Sequence, residues 1–544
     1  MPGRSPARRP RRVAVAAALV SAALLIPLAP GPLPAQEAGA YTFVMRFGSD
    51  TIGSEVVRRD PGRLEVDMAN RLGGGPVHFV LALGPDAAVS AMSAQFYRSA
   101  SDTAPAQSID LRFEGDSAIA TLSGATSRVD RMATGAGAVP YLNPSAALVE
   151  QILRRARAMG GARGAADTVP VLALQGGTTL QVDVRWPSAD EAVLHLAGIE
   201  MHATVSEDGR LLELAIPVQN VRVARVEGAH PLRAEEIDYG PPEDAPYAAE
   251  DVTVHTPAGL DLTGTLTLPD TSAGPVPAVV TITGSGAEDR DERIPFVRGY
   301  RPFWEIADTL GRRGIATLRL DDRGVNGSSP GPDSATSEDY ADDVRAAVAW
   351  LRDRPGIDGS RIGLVGHSEG GMIAPMVAAT DSSLAGIVLM AGTAYDGRRI
   401  LRYQLRSAIR RSGAYTPAER DSALEAVPDR IDAMAKGSAW TRFFLEHDPV
   451  ATAGEVGVPV LILQGETDRQ VSPEQADTLA AAFREGGDAD VTLRKFADTN
   501  HLFLADPNGA PEGYATLPSH SVRPEVLGAI ADWLSNRLEA GETK

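Results

Sequence analysis

In the C-terminal half an apolar run, Ile362-Gly-Leu-Val365, breaks into Gly366-His-Ser-Glu-Gly370 and resumes as an apolar stretch from Met372 to Ala379. That order predicts a buried strand, a tight turn and a buried helix. Glycines on both sides of Ser368 omit the side chains that would hold strand and helix apart at such a turn. A strand that feeds directly into a helix needs a crossover to regain its sheet, so the junction demands parallel neighbours. The flanking sequence supplies them. Val276 to Ile282, Ile315 to Leu320, Leu384 to Met390, Val458 to Leu463 and Val491 to Phe496 read as strands, and Phe303 to Arg313, Ser337 to Arg352 and Pro524 to Leu538 as helices. Alternation of this kind over residues 250–540 predicts an α/β domain built on a mostly parallel, doubly wound sheet. It is introduced by a hairpin, Val252 to His255 with Leu260 to Leu268.

The preceding part has a different grammar. From Ala40 to about Asp238 short apolar or alternating runs follow one another, including Tyr41 to Phe47, Arg63 to Met68, Phe79 to Leu83, Leu180 to Trp186, Ala192 to Leu196 and Met201 to Val205. Turn signals separate them (Asp60-Pro-Gly62, Glu207-Asp-Gly209), and a single helical stretch spans 144–159. The pattern predicts an antiparallel β-rich domain, a barrel or a sandwich, over residues 40–240. His195 and His202 sit in strand patterns and read as packed or surface residues. Three prolines within Tyr239 to Pro246 mark the boundary between the halves.

Five arginines before position 13 and an apolar run from Val13 to Ala29 precede a proline-broken segment ending at Ala35. Residues 1–35 thus read as a cleaved signal peptide, with cleavage before Gln36 and a periplasmic or secreted destination. The prolines and the short apolar run argue against a retained membrane span. The Arg pairs loosely match twin-arginine export. With no cysteine, neither a lipid-bearing N-terminus nor a disulfide is available. Loss of those five arginines takes the formal charge from −19 to −24, which excludes nucleic acid or anionic membrane as partners through bulk electrostatics.

Glycine makes up 54 of the 544 residues, so the Ser368 turn carries weight only with partners in order behind it. In chains with this turn the serine is followed by an acid and then a histidine, each in a loop after a strand. Val458 to Gln464 breaks at Gly465 into Glu466-Thr-Asp468, and Asp468 is favoured over Glu466 by its place in the loop. His447, His501 and His520 follow the serine; only His501 follows a strand beyond the acid. His501 would accept the Ser368 proton, and Asp468 would fix the imidazole tautomer. The oxyanion would be held by backbone amides, one from Glu369 and one from Ser285 in the loop Thr283-Gly-Ser-Gly-Ala287. Acids at 288, 289, 291 and 292 exclude that loop as a phosphate cradle. The Glu369 side chain either caps the following helix or offers a carboxylate to a substrate amine, the former being favoured. No metal or cofactor enters this chemistry. An insertion at about 395–455, helical over 400–412 and 418–436, falls where a cap over the site would sit.

Gly284 to Glu292, Asp321-Asp-Arg-Gly-Val-Asn-Gly-Ser328, Gly-His-Ser-Glu-Gly, Gln464-Gly-Glu-Thr-Asp468 and Asn500-His-Leu-Phe503 together resemble the α/β-hydrolase superfamily, most of all its EstD-like carboxylesterases and the serine aminopeptidase-like branch. The resemblance covers about residues 250–540. It implies Ser368, Asp468 and His501 as a triad, acyl-ester hydrolysis through an acyl-enzyme, and a small-molecule ester as substrate. Thr283 departs from the histidine such families carry before the oxyanion glycine, which leaves an oxyanion role of the amides intact. Two other readings are a serine peptidase of the same fold and an envelope binding protein with a residual hydrolase domain. The intact Ser-Asp-His order argues against decay.

Overall fold

The computed structural model describes residues 39–539 apart from short loop segments, and the expected signal peptide, residues 1–35, lies outside the described residues. Fifteen strands, β1 (Gly39–Phe47) to β15 (Val221–Glu227), form one sheet, and the order on each side of the β1–β15 pair follows the chain outward. Neighbours are antiparallel except the pair formed by β9 (Val139–Tyr141) and β10 (Ala166–Ala173). In strands such as Arg63–Asn70 and Val77–Leu83 alternate residues face the core. Tyr41, Phe43, Met45, Leu64, Val66, Phe79 and Leu81 pack with Leu148, Ile152, Leu153 and Ala156 of the helix α1 (Ala146–Ala158). A barrel or sandwich was the expectation. The strands instead make one continuous sheet whose two end strands, among the described residues, do not pair with each other, and α1 packs on its apolar face.

Buried charge pins α1 in place. Glu55 on a strand accepts from the Ala146 and Ala147 amides at the helix start, at 2.7 and 2.8 Å. The Ser145 hydroxyl is a third donor, at 3.2 Å, and these bonds at the positive end of the helix offset part of the cost of burial, which still pushes Glu55 up to about 7. One turn on, buried Glu150 meets Arg59, Arg154 and Arg225. His195 and His202 both reach Glu200 on the sheet surface, as the surface reading required.

The second half has an eight-stranded sheet ordered β16 (Ala248–His255), β17 (Asp261–Leu268), β19 (Ala316–Leu320), β18 (Val276–Ile282), β20 (Ile357–His367), β21 (Gly386–Met390), β22 (Val460–Gly465), β23 (Val491–Phe496). The pairs from β19 to β23 are parallel, and β16 and β17 add an antiparallel edge. Successive residues of one strand enter different cores. Val280, Leu364, Leu389 and Ile462 join Val344, Ala347 and Val348 of α3 (Ser337–Arg352) and Ile373 of α4 (Gly370–Ala378). Val279, Val365, Val388 and Leu461 join Phe303 and Ile306 of α2 (Pro302–Gly311) and Ile530 and Leu534 of the helix Pro524–Glu539. Burial on both faces is why these strands read as unbroken apolar runs.

The described residues of the insertion form five helices: α5 (Gly397–Arg411), α6 (Pro417–Glu425), α7 (Val427–Gly437), α8 (Ala439–Glu446) and α9 (Pro449–Ala453). One helix was expected over 418–436. Pro428, which has no amide hydrogen to donate, splits it into α6 and α7. The proline-rich junction is docked. Arg301 donates to the Asp238 carbonyl, Arg319 to that of Tyr239 and Trp304 to that of Gly240. Among the described residues no helix is long and apolar enough to cross a membrane.

Candidate active site

Ser368 sits on the turn between β20 and α4 with φ 53°. A non-glycine residue in the left-handed region is strained, and the turn survives because its neighbours fix it. Its amide donates to the Met390 carbonyl at 2.8 Å, and its carbonyl accepts from Gly371 at 3.0 Å. A Cβ on Gly366 would stand 2.9 Å from the Gly371 nitrogen, and one on Gly370 would stand 2.7 Å from the Thr283 carbonyl oxygen. Both flanking glycines are therefore required by close approach of backbone to backbone.

Asp468 and His501 come from the loops after β22 and β23. His501 Nδ1 lies 2.8 Å from Asp468 Oδ2, and both residues are buried. The other Asp468 oxygen accepts from the Gln470 and Val471 amides at 2.8 and 2.9 Å, and Gln464 Nε2 reaches Oδ2 at 3.0 Å. Every contact of this carboxylate is thus a donor. Glu466 is exposed and has no such contact with His501. His447 stacks on Phe443 in the insertion, and burial pulls its imidazole below the ordinary value. His520 is bound through both ring nitrogens to the carbonyls of Arg298 and Tyr514.

The loop after β18 reaches the serine through Gly284, whose added Cβ would lie 3.5 Å from that of Ser368. The Gly284 amide is engaged, donating to Glu288 Oε2 at 2.9 Å and Glu292 Oε1 at 3.0 Å. Among the described residues the Ser285 and Glu369 amides donate to no protein acceptor, which leaves both for a ligand oxygen. Thr283 donates its hydroxyl to Asp322 at 2.9 Å.

The Glu369 carboxylate does not cap α4, so the capping expectation is corrected. It is buried, and its Oε1 accepts from the Ser337 hydroxyl at 2.6 Å and Trp440 Nε1 at 2.7 Å. Burial raises its pKa, opposed by bonds from Ser337, Trp440 and Ser285. Trp440 belongs to α8 and stacks on Phe444, which packs with Met372 of α4 and Ile400 of α5. The carboxylate therefore ties the insertion to the loop of Ser285. On the other flank Gln404 of α5 reaches the Gln470 carbonyl, two residues past Asp468. The insertion is held on both sides of Ser368.

Several residues of the site were not singled out from sequence. Asp322 is partly buried, and desolvation pushes it up to about 8. Glu288 is raised well above the usual carboxylate range by burial and by the charges of Glu292 and Asp322. His367 Nδ1 lies 2.6 Å from Glu292 Oε1, and its Nε2 lies 2.9 Å from the His501 carbonyl oxygen. Burial works to lower His367, but the charge and bond of Glu292 outweigh it and the net shift is upward. Glu288 and Glu292 lie in the acidic run at 288–292, and Asp322 and His367 lie in motifs that carry the family resemblance, but nothing in those stretches assigns the four side chains to one another.

Residues 299–508 match the family described as serine aminopeptidase, S33. Esterase EstD of Thermotoga maritima is 29% identical over 303 residues, covering 55% of this chain and 69% of that protein. The uncharacterized peptidase YuxL of Bacillus subtilis is 26% identical over 317 residues, and the match spans 55% of this chain but only 41% of that protein. Among solved structures, the Pyrococcus furiosus esterase Pf2001 aligns with 56% of this chain and 96% of its own at TM-score 0.39 and 16% identity.

Proposed function

We propose that this chain is an exported serine carboxylesterase of the α/β-hydrolase type, acting on modest-sized acyl esters, a reading supported by its match to the serine aminopeptidase family and its similarity to esterase EstD. The observation that carries the reading is the buried Asp468–His501 pair, at 2.8 Å, with the His501 main chain bonded to His367, the residue just before a serine held on a strained turn. Ser368 Oγ attacks the ester carbonyl while His501 Nε2 takes its proton; Asp468 keeps the Nδ1 hydrogen in place and stabilises the imidazolium. The Ser285 and Glu369 amides receive the oxyanion. Collapse expels the alcohol with the proton returned from His501, and water repeats the sequence on the acyl-enzyme. The order of basic residues and apolar run in residues 1–35 supports export with cleavage before Gln36.

Glu369 separates the esterase from the aminopeptidase reading. A substrate ammonium would need that carboxylate, yet Ser337, Trp440 and Ser285 already donate to it in a buried setting. Hydrolysis of p-nitrophenyl acyl esters and aminoacyl anilides by the same preparation tests the choice. The ester should be preferred in kcat/KM, and preference for the anilide would transfer the reading to a peptidase.

A further inference from the structure

His367 precedes the candidate nucleophile, yet its side chain points away from solvent into a chain of contacts that the triad does not use. A carbonyl oxygen can only accept, so the 2.9 Å contact with the His501 main chain fixes a hydrogen on His367 Nε2. Nδ1 is left facing Glu292 Oε1 at 2.6 Å. The same carboxyl oxygen accepts from Gly284, the loop residue against Ser368. Glu292 Oε2 is buried and accepts nothing among the described residues, so this carboxyl acts through Oε1, which meets both His367 and Gly284. The His367 and His501 rings lie 4.9 Å apart, with Phe503 edge-on to His367 at 6.1 Å.

Three non-glycine residues on or beside this chain, Glu292, Ser368 and Phe503, have φ of 57°, 53° and 58°. Strained backbone persists where surrounding contacts over-determine it. Asp468 restrains only the His501 ring, at Nδ1. The main chain that carries the ring needs its own restraint, because a rotation there would swing Nε2 off the serine.

We propose that His367 is a positioning residue whose Nε2–H holds the His501 main chain in register with Ser368, and that Glu292 locks His367 in this orientation while tying it to the loop of Gly284. The proposal rests on the reading of Ser368 and His501 as nucleophile and base. It concerns neither residue's chemistry, only the geometry between them.

Two isosteric changes divide the two ends of the imidazole. His367→Gln keeps an amide hydrogen where Nε2–H stands, whereas His367→Asn keeps a polar atom only near Nδ1. Displacing a reacting group by about 1 Å costs about 100-fold in rate. His367→Asn should therefore lose about 100-fold in kcat toward a p-nitrophenyl ester with KM changed less than about threefold. Its fluorophosphonate labelling rate should fall in parallel, and His367→Gln should recover to within about tenfold of wild type. Equal kcat for the Asn and Gln variants, or wild-type kcat in both, would overturn the proposal. Glu292→Gln, which preserves volume, is the second variant should His367 changes prevent folding. It should lower kcat about tenfold at unchanged KM, and unaltered kcat would overturn the role of Glu292. Ser368→Ala separates the two levels. Ester turnover surviving in Ser368→Ala refutes the parent reading, whereas loss there with full activity in His367→Asn refutes the positioning role alone.

Discussion

Asp468→Asn is the substitution whose consequence follows most fully from geometry. Oδ1 is held by two backbone amides, Gln470 and Val471, so an amide side chain will place its oxygen there and its NH2 at the Oδ2 position. That NH2 then faces His501 Nδ1 and Gln464 Nε2, both donors in the wild type. Gln464 cannot turn its amide around without cost, because its Nε2 also donates to the carbonyls of Gly465 and Val471. His501 must accept at Nδ1, which moves its hydrogen to Nε2 and removes the lone pair that takes the serine proton. An equivalent exchange in a serine protease lowers kcat about 10⁴-fold, about 5 kcal/mol of transition-state stabilisation. The assay is kcat on a p-nitrophenyl ester with KM and thermal midpoint measured in parallel. The expected result is a fall of about 10³- to 10⁴-fold in kcat with a folded protein, and Glu466→Gln should be near wild type. Asp468→Asn within about tenfold of wild type would refute the assignment of this carboxylate.

Three other outcomes follow from particular contacts. Gly370→Ala gains up to about 1 kcal/mol of helix propensity, yet its Cβ meets the Thr283 and Ile282 carbonyls; net destabilisation of about 3 kcal/mol by urea unfolding is expected, and a stabilised variant would contradict the close approach. Trp440→Phe keeps a ring to stack on Phe444 but removes a donor from buried Glu369, so about 1.5–3 kcal/mol of stability should be lost, and unchanged stability would show that the bond is not maintained in solution. Asp322 has its folded pKa pushed up to about 8, so the native chain keeps a proton that the unfolded chain releases. Stability should therefore fall as pH rises from about 4 to about 8, by up to about 1.4 kcal/mol per pH unit from this one group, with Glu288 shifted in the same direction. Thermal midpoints between pH 6 and 8.5 check this, and a midpoint that rises over that interval would contradict it.

How legible these features were depended on how strongly burial constrains the residues. Strands such as Val276–Ile282 and Val460–Gly465 are buried on both faces, so their apolar runs were plain. In the N-terminal sheet, by contrast, Gln107–Glu114 and Arg128–Ala133 bury few residues, and nothing in their pattern separates them from loops. The helix α1 was visible by its spacing, but its role as the second layer was not, because that depends on Glu55 and Arg59, about 90 residues upstream. Ser368, Asp468 and His501 were legible because each follows a strand end. His367, Glu292 and Trp440 were not, since a single histidine, glutamate or tryptophan carries no spacing signal. Their partners lie 134, 75 and 71 positions away.

The central claim is that Ser368 forms the covalent intermediate. A fluorophosphonate is displaced by the activated serine oxygen and stays attached, so intact mass followed by peptide mapping tests the claim directly. The account predicts one adduct per chain, on the peptide bearing Ser368, with loss of ester turnover in proportion to labelling and neither adduct nor turnover in Ser368→Ala. An adduct on another residue, or ester turnover that persists after Ser368 is fully labelled, would contradict it.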